Sequence, residues 1–81
     1  MNVRVLLFAG AREAAGADAV QVDVPADADY ARLAEAMAAQ QPALSELIGR
    51  SRFAEGTRYV APGDTIDPST EIALIPPVSG G

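Results

Sequence analysis

The feature that most limits how this chain can fold is that apolar residues recur with the spacing of a long helix in only one stretch. From residue 29 to residue 41, apolar side chains recur every three or four positions and polar ones take the opposite side, which predicts one amphipathic helix. Asp29 suits the position before the first turn, because a short carboxylate accepts hydrogen bonds from the exposed amides there. Pro42 steers the preceding residue out of helical geometry and ends the helix. The apolar segments on either side must then supply a sheet for this helix to cover.

Before the helix, two segments alternate with the period of a strand. Residues 2–8 are largely apolar on both faces, which predicts a central strand, whereas residues 20–24 alternate Val with Gln and Asp, which predicts one buried and one solvated face. The two segments are close enough in sequence to pair antiparallel. Residues 9–16 between them are rich in Ala and bounded by Gly. Because this stretch is too short to be stable as a helix of its own, it predicts a helical turn in a connection.

The segments after the helix are shorter. In order, they are a helical turn at residues 44–48 and strands at residues 52–55, 58–61 and 71–75. The first and last strands are the most apolar and therefore the natural central pair, joined by a right-handed crossover if they lie parallel. The order predicts an α+β roll with one main helix across one face of a mixed sheet. This is the pattern of the β-grasp, or ubiquitin-like, fold.

The residue inventory excludes most side-chain chemistry. The 81 residues include no His and no Cys, so the usual metal ligands and nucleophile–base pairs are missing and no metal site is predicted. Eleven acidic residues oppose six basic ones for a net charge of −5, which disfavours nucleic acid and favours a basic protein surface as the partner. All the basic residues are Arg. A chain without Lys has no side-chain amine that could accept an isopeptide bond.

The apolar segments are all too short for a membrane. No window approaches the run of about 20 apolar residues that a span needs. The first residues predict a strand rather than a signal peptide, because no basic region is followed by a long apolar stretch and a cleavage site. These observations predict a cytoplasmic protein that does not bind a membrane.

The last six residues differ from the domain predicted for residues 1–75. Residues 76–81 begin with two prolines, which cannot continue the sheet and which favour an extended backbone. At about 3.3 Å per residue this flexible tail reaches roughly 20 Å. Its tip is the Gly81 α-carboxylate, which becomes an acyl donor if a partner attaches AMP to it, and a sulfur donor can then convert it to a thiocarboxylate. The residues expected to thread into a partner are Pro76, Pro77, Val78, Ser79 and Gly80, the last having no side chain to obstruct a narrow channel.

Both ends of the chain resemble one family. The opening VLLFAGARE of residues 5–13 and the ending ALIPPVSGG of residues 73–81 resemble those of the molybdopterin synthase small subunit, a family of sulfur carriers. The resemblance implies that a ubiquitin-activator-like adenylyltransferase uses ATP to adenylate Gly81, and that a sulfur donor protein supplies the sulfur. It also implies that the tail enters the large subunit of molybdopterin synthase, where sulfur passes to cyclic pyranopterin monophosphate to make molybdopterin.

The same resemblance implies the assembly and its contacts. The chain is expected to be a non-catalytic subunit of a heterotetramer and to bind no cofactor itself. Phe8, Tyr59 and Ile75 match the family's hydrophobic contact surface, and alternation in the strands supports an outward direction for Phe8 and Ile75. Ordinary packing under a loop is the alternative for each of them. Arg12 could pair with an acidic group on the partner or remain a solvated surface charge.

Three other functions are compatible with a Gly-Gly ending. A sulfur carrier for thiazole synthesis shares the fold but has a shorter chain and lacks the Pro-Pro-Val spacer. A ubiquitin-like modifier would transfer Gly81 to a lysine of a target protein. A plain interaction module would function without Gly80 and Gly81.

Overall fold

A computed structural model describes residues 1–77 of the chain. The elements are β1 (Asn2–Leu7), α1 (Ala9–Ala15), β2 (Ala19–Asp23), α2 (Tyr30–Gln40), a 3-10 turn (Pro42–Leu44), α3 (Ser45–Ile48), β3 (Arg52–Glu55), β4 (Arg58–Tyr59) and β5 (Ile72–Ile75). The strands form one sheet in the order β2-β1-β5-β3-β4. β1 and β5 are parallel at its centre, and the other neighbours are antiparallel. The predicted mixed sheet, with the first and last strands paired in the middle, is confirmed.

The apolar core lies between α2 and one face of the sheet. Leu33 and Met37 of α2 are completely buried, and Tyr30 at its start is nearly so. Alternate strand residues join them, because successive side chains on a strand point to opposite faces. The buried strand residues of this cluster are Val3, Val5, Leu7, Val20, Val22, Phe53, Ile72 and Leu74.

Both ends of α2 are fixed by side chains. Asp29 caps the first turn by accepting a hydrogen bond of 2.9 Å from the amide of Arg32. At the other end, the Gln40 amide group accepts from the Asp23 N–H and donates to the Asp23 carbonyl, both at 3.0 Å. These two bonds join the helix to edge strand β2. The predicted start and end of the helix are therefore confirmed.

Residues 9–15 form a seven-residue helix, which is longer than the turn predicted for this connection. The Phe8 carbonyl accepts from the amides of Ala11 and Arg12, at 3.0 and 3.4 Å, and Gly16 ends the helix with φ 69°. Ala11 is completely buried. Packing of Ala11 stabilises α1, which is too short to be stable as a helix on its own. Because the Phe8 carbonyl begins α1, β1 ends at Leu7 instead of the predicted residue 8.

The strand predicted at residues 58–61 is shorter in the structure and ends at Tyr59. The Asp64 carboxylate accepts from the Ala61 N–H at 2.9 Å, while the Asp64 N–H donates to the Ala61 carbonyl at 3.0 Å. Residue 61 therefore belongs to a turn. β5 likewise begins at Ile72 and not at residue 71. Within residues 1–77, no helix is long and apolar enough to cross a membrane.

Candidate functional site

The tail leaves the domain from a strand at the centre of the sheet. Ile75, the last residue of β5, pairs with Arg52 of β3. Pro76 is half-buried and Pro77 is exposed, and the strand does not continue into either residue. Val78, Ser79, Gly80 and Gly81 lie outside the described residues, so the threading tail and its carboxylate stay predictions. The structure shows where the tail starts, at the end of a strand that is hydrogen-bonded on both sides.

The sheet face opposite α2, here called the outer face, carries a shallow apolar row across four strands. Leu6 of β1 pairs with Ala73 of β5, Ala73 pairs with Ala54 of β3, and Ala54 pairs with Tyr59 of β4. The two alanines, on β5 and β3, project little above the sheet, because each has only a methyl group as its side chain. Such a surface suits a flat apolar partner.

Two of the predicted docking residues are among the most exposed large apolar side chains in the described part. Phe8 is 44% exposed and Tyr59 is 51% exposed. Ile75 is half-buried at the end of β5. Phe8 follows Leu7, which pairs with Leu74, so the parallel register places Phe8 and Ile75 side by side where the tail begins. Their contact with a partner stays a prediction.

Arg12 lies in α1 and has an acidic neighbour within the chain. Its guanidinium is 3.8 Å from the Asp18 carboxylate, and both side chains are largely exposed. An exposed pair at this distance contributes little to stability. Arg12 therefore remains accessible to a partner, and its predicted pairing with an acidic group stays a prediction.

The outer face also holds an arginine that the sequence analysis did not single out. The guanidinium carbon of Arg52 lies 4.2 Å from the centroid of the Tyr59 ring. Arg52 is two residues from Ala54 on the same strand, so both side chains are on the outer face. Alternation through the buried Phe53 was the sequence signal that could have placed Arg52 on the outer face.

A polar network behind the outer face holds the β3–β4 hairpin against α2. The Tyr30 hydroxyl donates to the Glu55 carboxylate, which also contacts the Arg58 guanidinium at 3.2 Å and accepts from the Asp67 N–H at 3.3 Å. The Tyr30 and Phe53 rings pack with centroids 5.4 Å apart. Burial, followed by the hydrogen bond to Glu55, raises the pKa of the Tyr30 phenol well above its ordinary value. The network fixes the strand that carries Tyr59.

A sheet of this order, one crossing helix and a central strand followed in the sequence by Pro-Pro-Val-Ser-Gly-Gly define a ubiquitin-like β-grasp protein. The profile of the ThiS family matches residues 5–81. The chain belongs to that family.

Relatives with assigned names match along the whole chain. The molybdopterin synthase sulfur carrier subunit of Caenorhabditis briggsae is 37% identical over 83 residues, covering 100% of this chain and 99% of the relative. That of Homo sapiens is 34% identical and covers 99% of this chain and 94% of the relative. These matches confirm the resemblance that the two ends of the sequence indicated.

Solved structures show the same fold. The crystal structure of small archaeal modifier protein 1 from Haloferax volcanii has a TM-score of 0.82 at 31% identity, with both chains completely covered. A complex of subunits 1 and 2 of the molybdopterin-converting factor from Helicobacter pylori contains a chain with a TM-score of 0.67 at 22% identity, again with complete coverage of both chains. At that identity the second likeness shows the fold alone.

Proposed function

We propose that this chain is the sulfur carrier subunit of a molybdopterin synthase and that Gly81 is its reactive residue. The observation that carries the proposal is the full-length similarity to sulfur carrier subunits, at 37% and 34% identity. The placement of β5 supports it, because a tail that starts at the centre of a rigid sheet can enter another protein while the domain docks outside.

The chemistry follows from a terminal carboxylate and an activating partner. A carboxylate oxygen of Gly81 attacks the α-phosphate of ATP on an adenylyltransferase, which gives an acyl adenylate and releases pyrophosphate. Hydrosulfide from a sulfur donor protein then displaces AMP and leaves a thiocarboxylate. In the large subunit this sulfur bonds to a side-chain carbon of the pterin substrate while a carbon–oxygen bond at that carbon breaks and the oxygen leaves. Water then hydrolyses the acyl–sulfur bond, which leaves the sulfur on the pterin and returns the glycine carboxylate. Two such transfers supply the two sulfurs of molybdopterin.

In this proposal the chain is a donor and its partners are the catalysts. ATP binds to the adenylyltransferase, the pterin binds to the large subunit, and this chain itself holds no cofactor. The lack of His and Cys in the sequence supports this division. The full-length relatives are named as sulfur carrier subunits of molybdopterin synthase, which supports another subunit of that synthase as the direct partner. We expect a heterotetramer with two copies of each subunit, working in the cytoplasm.

The outer face is the proposed docking surface for the large subunit. Phe8 and Tyr59 are about half exposed, at 44% and 51%, and Ile75 lies beside Phe8 where the tail begins. Burying these groups against an apolar partner would stabilise the complex by about 25 cal/mol per Å² of apolar surface. A partner docked here would also receive the tail.

A second candidate is a protein modifier. Small archaeal modifier protein 1 of Haloferax volcanii is 35% identical, covering 93% of this chain and 95% of the relative, and the match in fold is close. A modifier would use the same acyl adenylate but pass Gly81 to a lysine amine. Isolation of target proteins joined to Gly81 through an isopeptide bond would support this second function.

Reconstitution of the synthase tests the proposal. The thiocarboxylated chain, the purified large subunit and cyclic pyranopterin monophosphate are mixed, and the molybdopterin formed is measured. We expect one molybdopterin for two carriers consumed, and none from a variant lacking Gly81 treated in the same way. An Arg32→Gln variant, altered on the exposed surface of α2, is the matched control and should be fully active. Failure of the thiocarboxylated chain with an active large subunit would contradict the proposal.

A further inference from the structure

The six arginines of this chain divide into two groups. Four of them lie within 4.0 Å of a carboxylate, in the pairs Arg12–Asp18, Arg32–Glu35, Arg50–Glu46 and Arg58–Glu55. Within residues 1–77, Arg4 and Arg52 form no such pair. Both follow the strand alternation onto the outer face, because each precedes a buried residue, Val5 or Phe53. The two arginines that form no ion pair with the described residues are therefore on the proposed docking surface.

Of these two arginines, Arg52 is the one with no acidic residue beside it on the outer face. Arg4 lines a depression that the acidic residue Glu71 also lines. The neighbours of Arg52 on the outer face are Ile75, Ala54 and Tyr59, none of them acidic. In a chain with eleven acidic residues, this position is a local cationic site on an apolar surface.

Tyr59 holds the Arg52 guanidinium in place. The guanidinium carbon lies 4.2 Å from the ring centroid, which is within the range of a cation–π contact. Stacking occupies the flat face of the guanidinium and leaves the N–H groups at its edge able to donate to a carboxylate. Because the group is already ordered, less side-chain entropy is lost when a partner binds.

We propose that Arg52, stacked on Tyr59, binds a carboxylate of the large subunit and so determines how this carrier docks. The inference rests on the proposed function, since it takes the large subunit as the occupant of the outer face. Arg52 pairs with Ile75, the last strand residue before the tail. An ion pair at this point fixes the docked position of the domain where the tail enters the partner. Apolar contacts alone would define that position less specifically. Basic groups of the partner can still face the acidic residues elsewhere on the chain.

Charge reversal with a matched control tests the proposal. Arg52→Glu and Arg32→Glu each change the net charge by two, from −5 to −7, but Arg32 lies on α2 and is paired with Glu35. The dissociation constant for the large subunit is measured by titration calorimetry, and circular dichroism checks the fold. We expect Arg52→Glu to weaken binding about tenfold or more, and Arg32→Glu to weaken it far less.

The outcomes separate the two proposals. Equal losses for both variants would overturn the role of Arg52 and leave the sulfur carrier function standing. If the unsubstituted chain does not bind the large subunit at all, both proposals are wrong. A self-dimer that is lost only in Arg52→Glu, seen by sedimentation, would make a second copy the occupant and also overturn the inference.

The absence of lysine from the sequence allows a direct identification of the partner group. Arg52→Lys introduces the only side-chain amine of the chain, and a zero-length carbodiimide joins an amine only to a carboxylate that touches it. Digestion and mass spectrometry should find position 52 linked to an Asp or Glu of the large subunit. Arg32→Lys is the control and should link to no large-subunit residue. A complex that forms without a link from position 52 would contradict the inference.

Discussion

Tyr30 and Glu55 form a side-chain hydrogen bond that ties the main helix to the strand pair beneath the outer face. Tyr30 is 2% exposed, and its hydroxyl donates to a carboxylate that Arg58 and the Asp67 amide also contact. A buried hydroxyl without a partner would cost about 1–3 kcal/mol. The contact therefore meets the hydrogen-bonding need of Tyr30 and orders the hairpin that carries Tyr59.

The raised pKa of Tyr30 gives a prediction for alkaline pH. In a Tyr59→Phe variant Tyr30 is the only tyrosine, since the chain has two. Ultraviolet absorption of the folded variant should show no phenolate near pH 10, where the same chain in denaturant is about half ionised. Because the folded pKa is the higher one, this contribution to stability is complete below pH about 10 and is lost as the pH rises further.

A second variant separates the causes of this shift. Glu55→Gln removes the charge but keeps a hydrogen-bond acceptor, so the pKa of Tyr30 should fall while staying above its ordinary value, because burial is the largest cause. Circular dichroism at each pH checks that the domain is folded. Ionisation of Tyr30 near pH 10 in the folded Tyr59→Phe variant would contradict the buried contact.

A side chain at Gly16, at the end of α1, should destabilise the domain. Its φ is 69°, and an added Cβ would meet no atom within 4 Å, so only the backbone conformation opposes substitution. Gly16→Ala should lower the free energy of unfolding by about 1 kcal/mol. Gly63→Ala is the control, because an added Cβ there is equally uncrowded and its φ is outside the left-handed region. Equal stabilities in urea denaturation would contradict this account.

At the scale of elements, the stability of α2 depends on hydrogen bonds at both of its ends. The Asp29 cap satisfies an amide of the first turn, and Gln40 joins the last turn to β2 through two hydrogen bonds. Eleven residues are marginal for a helix in isolation. Packing of its apolar side against the sheet supplies the remaining stability.

Removal of the cap tests this dependence. Asp29→Ala should lower the free energy of unfolding by about 1 kcal/mol, because the Arg32 amide loses its acceptor. Asp27→Ala removes the same charge from the same loop, two residues before the cap, and should change stability by less than about 0.5 kcal/mol. Thermal unfolding of both variants beside the parent measures the difference. A cost that is the same for both would contradict the capping role.

Elements with local signals could be predicted from the sequence, and those set by distant contacts could not. The cap at Asp29 and the stop at Pro42 depend on neighbouring residues, so the bounds of α2 were predictable. The full length of α1 depends on burial of Ala11, and the end of β4 depends on a turn closed by Asp64. Neither tertiary contact leaves a periodic pattern in the sequence.

At the scale of the whole molecule, the parallel pairing of β1 and β5 sets the position of the tail. This pairing puts the end of β5 at the centre of the sheet, where strands on both sides hold it. The sequence predicted the pair and, from alternation, the outward direction of Phe8. It did not predict the stack of Arg52 on Tyr59, because that contact joins diagonal positions on two strands whose register was unknown.

The central claim is that Gly81 carries sulfur, and the intact mass of the chain tests it most directly. The chain is incubated with its adenylyltransferase, ATP and a sulfide source, beside a variant that lacks Gly81. Replacement of one oxygen by sulfur in the full-length chain alone, located to Gly81 by fragmentation, is the predicted result. An unchanged mass, with the adenylyltransferase shown to be active on another carrier, would contradict the claim.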